Sequence, residues 1–324
     1  MSTSKNAIVL PTIGLGGFYK FEIRRNGRVR YDSGWFENLI TNGGLDALGQ
    51  SVALANWCAV GTGNTIPTNA DVTLSLPLAV AVASGSSQGV VTTGTRYGWQ
   101  RRTYAFAQGA VVGNIAEVGV GWTNSPATPL FSRSLVSPAT SIIALDQLTV
   151  TYETRMYLPT VDVTGGPIDI GGTNYNFTVR PINANSNGTA GYRTGQGWGV
   201  GLLSLPASPR IWFNPSFGIY PCLAARAPCI LTPVDETFVW TSAGVAATSD
   251  FSESGTNGAY VSSSFECNFS AKFSAVRANF VGGIQGFLFS GLFGTYQCIL
   301  SAPVNKGNTQ ELTMNWRQSW ARRP

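Results

Sequence analysis

The feature that most constrains this chain is a series of short segments in which apolar and polar residues alternate. In the clearest case, Tyr19, Phe21 and Ile23 alternate with charged residues up to the dipeptide Asn26-Gly27, and the alternation resumes after it. A period of two marks a half-buried strand, and Asn-Gly between two such runs is a strong hairpin signal. The pattern predicts a β-hairpin with a type I′ turn.

The same alternation returns along the first half of the chain. Strands are predicted over 90–93, 101–107, 115–122, 131–136 and 148–158, and a further strand around Ala59 runs into a glycine-rich loop. One short helix is predicted after Thr41, a candidate N-cap followed by helix-forming residues. Short strands with turn signals between them are typical of sandwiches and jelly rolls. We therefore expect an all-β protein of antiparallel β-sandwich or jelly-roll-like domains with little helix.

Chain length and a change in composition suggest two domains. The chain has 324 residues, and a domain typically takes about 100 to 200. From Asp162 onward the sequence becomes rich in Gly, Pro and Asn. We place a boundary near residue 163, with an N-terminal β-domain over 1–163 and a loop-rich C-terminal β-domain over 164–324.

The chain has no histidine and only 11% charged residues. Without histidine, the chain cannot form a Ser-His-Asp or Cys-His catalytic group or a zinc site with histidine ligands. It also lacks the side chain that most often transfers protons near neutral pH. The glycine-rich stretches 14–17, 61–63 and 195–201 fit neither a dinucleotide-binding nor a P-loop pattern. We therefore expect no enzymatic activity, with no catalytic residues, no cofactor and no metal site.

The chain has five cysteines, an odd number, and none of them form a C-x-x-C pair. This pattern argues against a zinc ribbon and against a fixed disulfide framework. Two interpretations remain: buried free thiols, or a loop disulfide between Cys222 and Cys229.

The net charge is +5, and most of the basic residues are arginines in small clusters. Arginine suits protein interfaces, because its planar guanidinium group both pairs and stacks. A nucleic-acid-binding protein usually shows a denser basic face with a recognisable motif, so nucleic acid is the less favoured partner.

Aromatic residues in the Gly, Pro and Asn-rich loops are the best candidates for contact with a glycan or a partner chain. These candidate contact residues are Tyr192, Trp198, Trp212, Tyr220, Trp240 and Tyr260. Two carboxylates close together beside such rings could also cut a polysaccharide. The candidate acids for that alternative are Asp169, Asp235, Glu236, Asp250 and Glu253.

No apolar run approaches the roughly 20 residues that a membrane helix needs. The first residues also lack the charged start and apolar middle of a signal peptide. We expect no membrane span, and synthesis and assembly in a cytoplasm.

Several segments resemble virion structural proteins of tailed bacteriophages. They are WFENLITNGGLD (35–46), CAVGTGNTIP (58–67), DVTL (71–74), NIAEVGVGW (114–122), LFSRSL (130–135) and LTVTYETRMY (148–157). The resemblance covers about residues 18–160, together with the Trp- and Arg-rich end LTMNWRQSWARR (312–323). In the second of these segments we expect Gly61 and Gly63 to allow a tight backbone turn.

The resemblance implies a non-enzymatic structural subunit of a phage tail, tail tip, collar or fibre, located in the virion and assembled in the host cytoplasm. The N-terminal domain would anchor to the particle, and the C-terminal domain would contact neighbours or the host. Expected partners are further copies of the chain, in a cyclic oligomer, other virion proteins, and a host surface glycan or receptor. Two alternatives remain: a receptor-binding or polysaccharide-degrading adhesin with its site in the C-terminal half, and a capsid decoration protein.

Overall fold

A computed structural model describes residues 6–50, 54–91, 95, 97–157, 162–181, 219–223, 253–279, 282–291 and 294–323. Most of these residues lie in strands, and the single helix among them is eight residues long. The protein is therefore all-β, as predicted. No helix within these ranges is both long and apolar enough to cross a membrane.

The elements follow one another in a long series of strands that one helix interrupts. They are β1 (Ile8–Val9), β2 (Ile13–Arg25), β3 (Arg28–Glu37), β4 (Leu39–Ile40), α1 (Asn42–Gly49), β5 (Trp57–Gly61), β6 (Pro77–Val91), β7 (Tyr97–Ala105), β8 (Gly113–Gly121), β9 (Leu130–Ile142), β10 (Asp146–Tyr157), β11 (Val163–Ile170), β12 (Thr173–Pro181), β13 (Ile219–Leu223), β14 (Glu253–Asn257), β15 (Glu266–Phe273), β16 (Ile284–Gly291), β17 (Gly294–Val304) and β18 (Leu312–Arg322).

The predicted hairpin and helix are both present. Asn26 and Gly27 connect β2 to β3 with φ angles of 52° and 76°, as a type I′ turn requires. Thr41 caps α1, because its hydroxyl oxygen accepts a hydrogen bond from the backbone N–H of Gly44 at 2.9 Å. The strands predicted around Ala59 and over 101–107, 115–122, 131–136 and 148–158 correspond to β5, β7, β8, β9 and β10, and 90–93 overlaps the end of β6.

The strands form two sheets. The larger has 13 strands, in the order β14-β15-β18-β2-β10-β7-β6-β5-β8-β9-β4, with β1 beside β18 and β3 beside β2. The smaller has five strands, in the order β11-β12-β17-β16-β13. Pairing is antiparallel apart from the two parallel pairs that β18 makes with β1 and β2.

The larger sheet folds over on itself at β6, which pairs with β5 through its first half and with β7 through its second. The strands β2 and β10 thereby face β8 and β9 across a buried core. Tyr19 on β2 reaches across this core to the Ser132 hydroxyl on β9 at 2.8 Å. The rings of Phe131 on β9 and Tyr152 on β10 lie edge to face, with centroids 6.3 Å apart.

The larger sheet combines strands from both sides of residue 163. The smaller sheet begins at Val163, where the domain boundary was predicted, and all its strands follow that point. However, β14, β15 and β18 return to the larger sheet, and Trp320 of β18 lies opposite Ile13 of β2. Residue 163 therefore does not divide the chain into two independently built sheets, because the last strand completes the sheet that the first strands begin.

Asp146, at the start of β10, links the β2–β3 hairpin to the turn before β10. The side chain is buried, and it accepts hydrogen bonds from Arg25 at 2.8 and 3.1 Å and from the backbone N–H of Ile143 at 3.0 Å. Arg30 adds a weaker ion pair at 3.6 Å. The hydrogen bonds from Arg25 lower the pKa of Asp146 to about 2, although burial acts in the opposite direction.

The pKa of Asp146 predicts how acid affects the stability of the fold. Because the folded pKa lies below that of an unfolded aspartate, this group stabilises the fold above about pH 4, and the contribution disappears as the pH falls towards 2. Asp146→Asn should lower the free energy of unfolding at neutral pH and remove this part of its acid dependence. Urea unfolding over a pH series measures both effects, with Asp169→Asn, at an exposed position near the end of β11, as the control. The same acid dependence in Asp146→Asn and in the unmodified chain would contradict the assignment.

Candidate functional site

A long loop, residues 62–76, lies on the outer face of the sheet formed by β5, β8 and β9. It contains neither helix nor strand, and ordered loops of this length are uncommon in a compact domain and are often functional. Its two ends are joined by a hydrogen bond from the Thr62 N–H to the Leu76 carbonyl at 3.0 Å.

The carboxylate of Glu117 on β8 fixes both ends of the loop. Oε1 accepts hydrogen bonds from the backbone N–H groups of Gly63 at 3.2 Å and Leu76 at 2.7 Å. Oε2 accepts hydrogen bonds from the N–H and hydroxyl of Ser75 at 3.0 and 3.1 Å and from Arg133 at 2.8 Å. Each carboxylate oxygen therefore has at least two donors.

Arg133 on β9 neutralises Glu117 and ties it to the middle of the loop. Its side chain is 2% exposed, and that of Glu117 is 0% exposed. It donates to the carboxylates of Glu117 and Asp71 and to the Thr65 carbonyl, the last at 2.8 Å. We call Asp71, Glu117 and Arg133 the loop anchor.

Both acids of the loop anchor are held in the charged form. Burial raises the pKa of Glu117, but hydrogen bonds from Leu76 and Ser75 and the charge of Arg133 outweigh it, so that the pKa lies below its usual value. The pKa of Asp71 is likewise lowered, because hydrogen bonds from Thr68 and Arg133 outweigh burial. An ionised carboxylate whose oxygens are all occupied by donors is suited to holding a loop and not to transferring a proton.

Glycines leave the space into which the loop packs. A side chain at Gly119 would collide with Leu74 of the loop and with Leu130 of β9, and Leu74 and Leu130 are buried together with Ala59. Gly61 and Gly63 were expected to allow a tight turn. Instead neither has a positive φ angle, and each is needed because a side chain would meet the Glu117 carboxylate.

Beside the loop anchor, apolar side chains are exposed where the loop ends and β6 begins. Leu76, Leu78 and Val82 are 61%, 42% and 47% exposed, and we call them the apolar strip. Leu76 is the last residue of the loop, Leu78 lies at an irregularity in the β5–β6 pairing, and Val82 lies opposite Trp57 of β5. The backbone beneath the strip pairs with β5 over Pro77 to Val82, so the strip is presented by a fixed surface.

Of the six predicted contact residues, Tyr192, Trp198, Trp212 and Trp240 lie outside the described residues, and Tyr220 is described only as part of the backbone of β13. Tyr260 was expected in an exposed loop, but it is half-buried. Its hydroxyl donates to Asp46 at 2.7 Å, and its ring stacks on Trp320 with centroids 5.9 Å apart. These contacts connect the loop before β15 to α1 and β18, and the sequence could not reveal them because the three segments are far apart along the chain.

The acids proposed for polysaccharide cleavage are not brought together among the described residues. Asp169 is exposed, and its side chain accepts a hydrogen bond from the Gly172 N–H at 2.8 Å within a turn. Glu253 is described only as backbone at the start of β14, and Asp235, Glu236 and Asp250 lie outside the described residues.

The predicted buried free thiols are confirmed at Cys58, Cys267 and Cys298. Their burial raises the pKa of each thiol. Cys229 lies outside the described residues, so its predicted alternative pairing with Cys222 stays a prediction.

The loop anchor was missed as a unit at the level of sequence. A signal was present, because Glu117 and Arg133 are isolated charges within apolar strands of a chain that has few charges. Such charges are usually paired when buried.

No protein-family model, curated protein or solved structure matches this chain. Its function is therefore argued from the loop anchor, the apolar strip and the surrounding surface.

Proposed function

We propose that this chain is a non-enzymatic structural subunit of a tailed-phage virion, in the tail, collar or fibre, which assembles through contacts between copies. The observation that carries the proposal is the apolar strip beside a loop fixed by the loop anchor. Contiguous exposed apolar side chains commonly mark surfaces that bind other proteins. The phage setting rests on the resemblance of the segments that build this region.

The geometry of the loop anchor supports a preformed interface. Its buried charges fix residues 62–76 through Gly63, Thr65, Asp71, Ser75 and Leu76. A surface that is ordered before binding loses less conformational entropy when a partner docks. Arg133 and Glu117 satisfy each other inside the subunit, so the interface buries apolar groups and no unpaired ions.

The apolar strip predicts a specific assembly defect. Leu78→Glu combined with Val82→Glu should weaken self-association by at least about tenfold, because two charges would then be buried without partners. Sedimentation velocity over a concentration series measures self-association, and incorporation into particles in cells that produce them measures assembly.

The matched control places the same charges elsewhere on the surface. Val261→Glu combined with Val276→Glu alters two exposed valines far from β6 in sequence, and this variant should assemble normally. Equal thermal unfolding temperatures of the two double variants would show that both are folded. Normal assembly of the β6 variant would overturn the role of the apolar strip.

A further inference from the structure

A second surface lies on the outward face of the sheet formed by β3, β2, β10 and β7. Here guanidinium groups cover aromatic rings, and we call this surface the aromatic–arginine face. Arg101 lies 4.2 Å from the ring centre of Trp99 and 5.0 Å from that of Trp35. Arg155 lies 3.7 Å from the ring centre of Phe18 and 4.5 Å from that of Tyr97.

Two of the rings at this surface pack closely against glycines. A side chain at Gly89 would come within 2.6 Å of the Trp99 indole. A side chain at Gly16 would come within 3.3 Å of the Tyr157 ring. Rings that are fixed before a ligand arrives need little further ordering to bind it.

One edge of the aromatic–arginine face opens into a cleft of about 360 Å³. Phe18, Tyr157, Arg322 and Arg323 line it, together with Glu37 and Asn38. Arg323 lies 3.9 Å from the ring centre of Tyr157. The volume lies within the range of roughly 300 to 1,000 Å³ that is common for small-molecule sites.

Arg322 is positioned by the body of the protein. Its Nε donates to the Ile40 carbonyl, and its Nη2 donates to the Asn42 side chain at 2.5 Å. Both acceptors are uncharged, so these bonds orient the guanidinium group and leave its charge uncompensated. Arg323 likewise has no carboxylate partner within the described part of the chain, where its side chain packs on Tyr157.

The charges on this surface favour an anionic ligand. Arg101 and Arg155 share one buried carboxylate, that of Glu153, with each nitrogen–oxygen distance 2.5 Å. With Arg322, Arg323 and Glu37, the face and cleft carry four guanidinium groups and two carboxylates, an excess of two positive charges. The nearby pair of Lys20 and Asp32, at 2.7 Å, is neutral overall.

We propose that the cleft and the aromatic–arginine face bind an acidic polysaccharide, one uronic acid unit occupying the cleft and the following sugars lying on the rings. The guanidinium groups of Arg322 and Arg323 would pair with the carboxylate, and the Tyr157 and Phe18 rings would contact the apolar face of the sugar. The small charge excess fits a polymer with widely spaced carboxylates better than nucleic acid, which carries a phosphate on every nucleotide and usually meets many more basic groups.

This inference does not rest on the proposed function, because the cleft and the apolar strip are separate surfaces with different variants. Isothermal titration calorimetry of the whole chain tests it, with a hyaluronan oligosaccharide, which carries a uronic acid on every second sugar, as the probe. Maltoheptaose is the neutral sugar control, and oligothymidylate is the nucleic-acid control. We expect saturable binding of the hyaluronan oligosaccharide that weakens as salt is added, and much weaker binding of both controls.

Two variants locate the binding site. Arg323→Ala, at an exposed position, should weaken binding of the hyaluronan oligosaccharide by about tenfold, and Tyr157→Phe should keep most of it because the ring remains. Arg28→Ala, at the exposed hairpin turn, is the matched control and should bind normally. Equal binding of maltoheptaose, tighter binding of oligothymidylate, or unchanged binding by Arg323→Ala would each overturn the proposal.

Discussion

Arg133→Met is expected to destabilise the fold by about 3 to 5 kcal/mol, the usual cost of removing one partner of a buried ion pair. Methionine approximates the size of the aliphatic part of arginine but leaves Glu117 buried without a countercharge. Asp71 and the Thr65 carbonyl would also lose their contacts with the guanidinium group. Urea unfolding at neutral pH, followed by tryptophan fluorescence, measures the change.

Two further variants separate the buried charge from a general effect of losing an arginine. Arg24 pairs with Glu22 at the surface, so Arg24→Met should lower the free energy of unfolding by less than about 1 kcal/mol. The double variant Arg133→Met with Glu117→Gln should lose less free energy of unfolding than the sum of the losses in the two single variants, because it no longer buries an unpaired charge. An Arg133→Met variant as stable as Arg24→Met would contradict the role of the loop anchor.

Trp320→Ala is expected to lower the free energy of unfolding by about 3 to 5 kcal/mol, as when other large aromatic side chains are removed from a core. The side chain is 1% exposed. Its indole N–H donates to the Leu45 carbonyl at 2.8 Å, and its ring stacks on Tyr260. The substitution would therefore loosen β18 from α1 and weaken its position beside β2 in the larger sheet, which chemical unfolding would detect.

Controls for Trp320 use the same residue type in another setting. Trp35 is 40% exposed on β3, so Trp35→Ala should lower the free energy of unfolding by about 1 kcal/mol or less. Trp320→Phe keeps most of the ring and loses the hydrogen bond to Leu45, so its stability should lie between those of the unmodified chain and Trp320→Ala. Equal effects of Trp320→Ala and Trp35→Ala would contradict the packing of β18 on α1 through Trp320.

Features that depend on neighbouring residues could be predicted from the sequence. The Asn26-Gly27 turn requires positive φ angles at both positions, and Thr41 begins α1 because its side chain can cap the first turn. In each case the residues that determine the structure lie within a few positions of one another. Strand alternation similarly located β7 to β10, because a period of two depends only on which face is buried.

Features that depend on distant residues could not be predicted. Alternation shows that β18 has a buried face. It does not show that Trp320 lies beside Ile13, which is near the other end of the chain. The loop anchor joins Asp71, Glu117 and Arg133 from three separate segments, and the cleft joins Phe18 to Arg323. These sites arise from strand order, which a single sequence leaves open.

The proposed role, a structural subunit of phage particles, is tested most directly by quantitative mass spectrometry of particles purified by density gradient, with immunogold electron microscopy to locate the chain. We expect the chain to copurify in a fixed ratio to the major capsid protein, with several copies at one site on the tail, collar or fibre. A chain that is absent from washed particles and remains in the soluble lysate would contradict it.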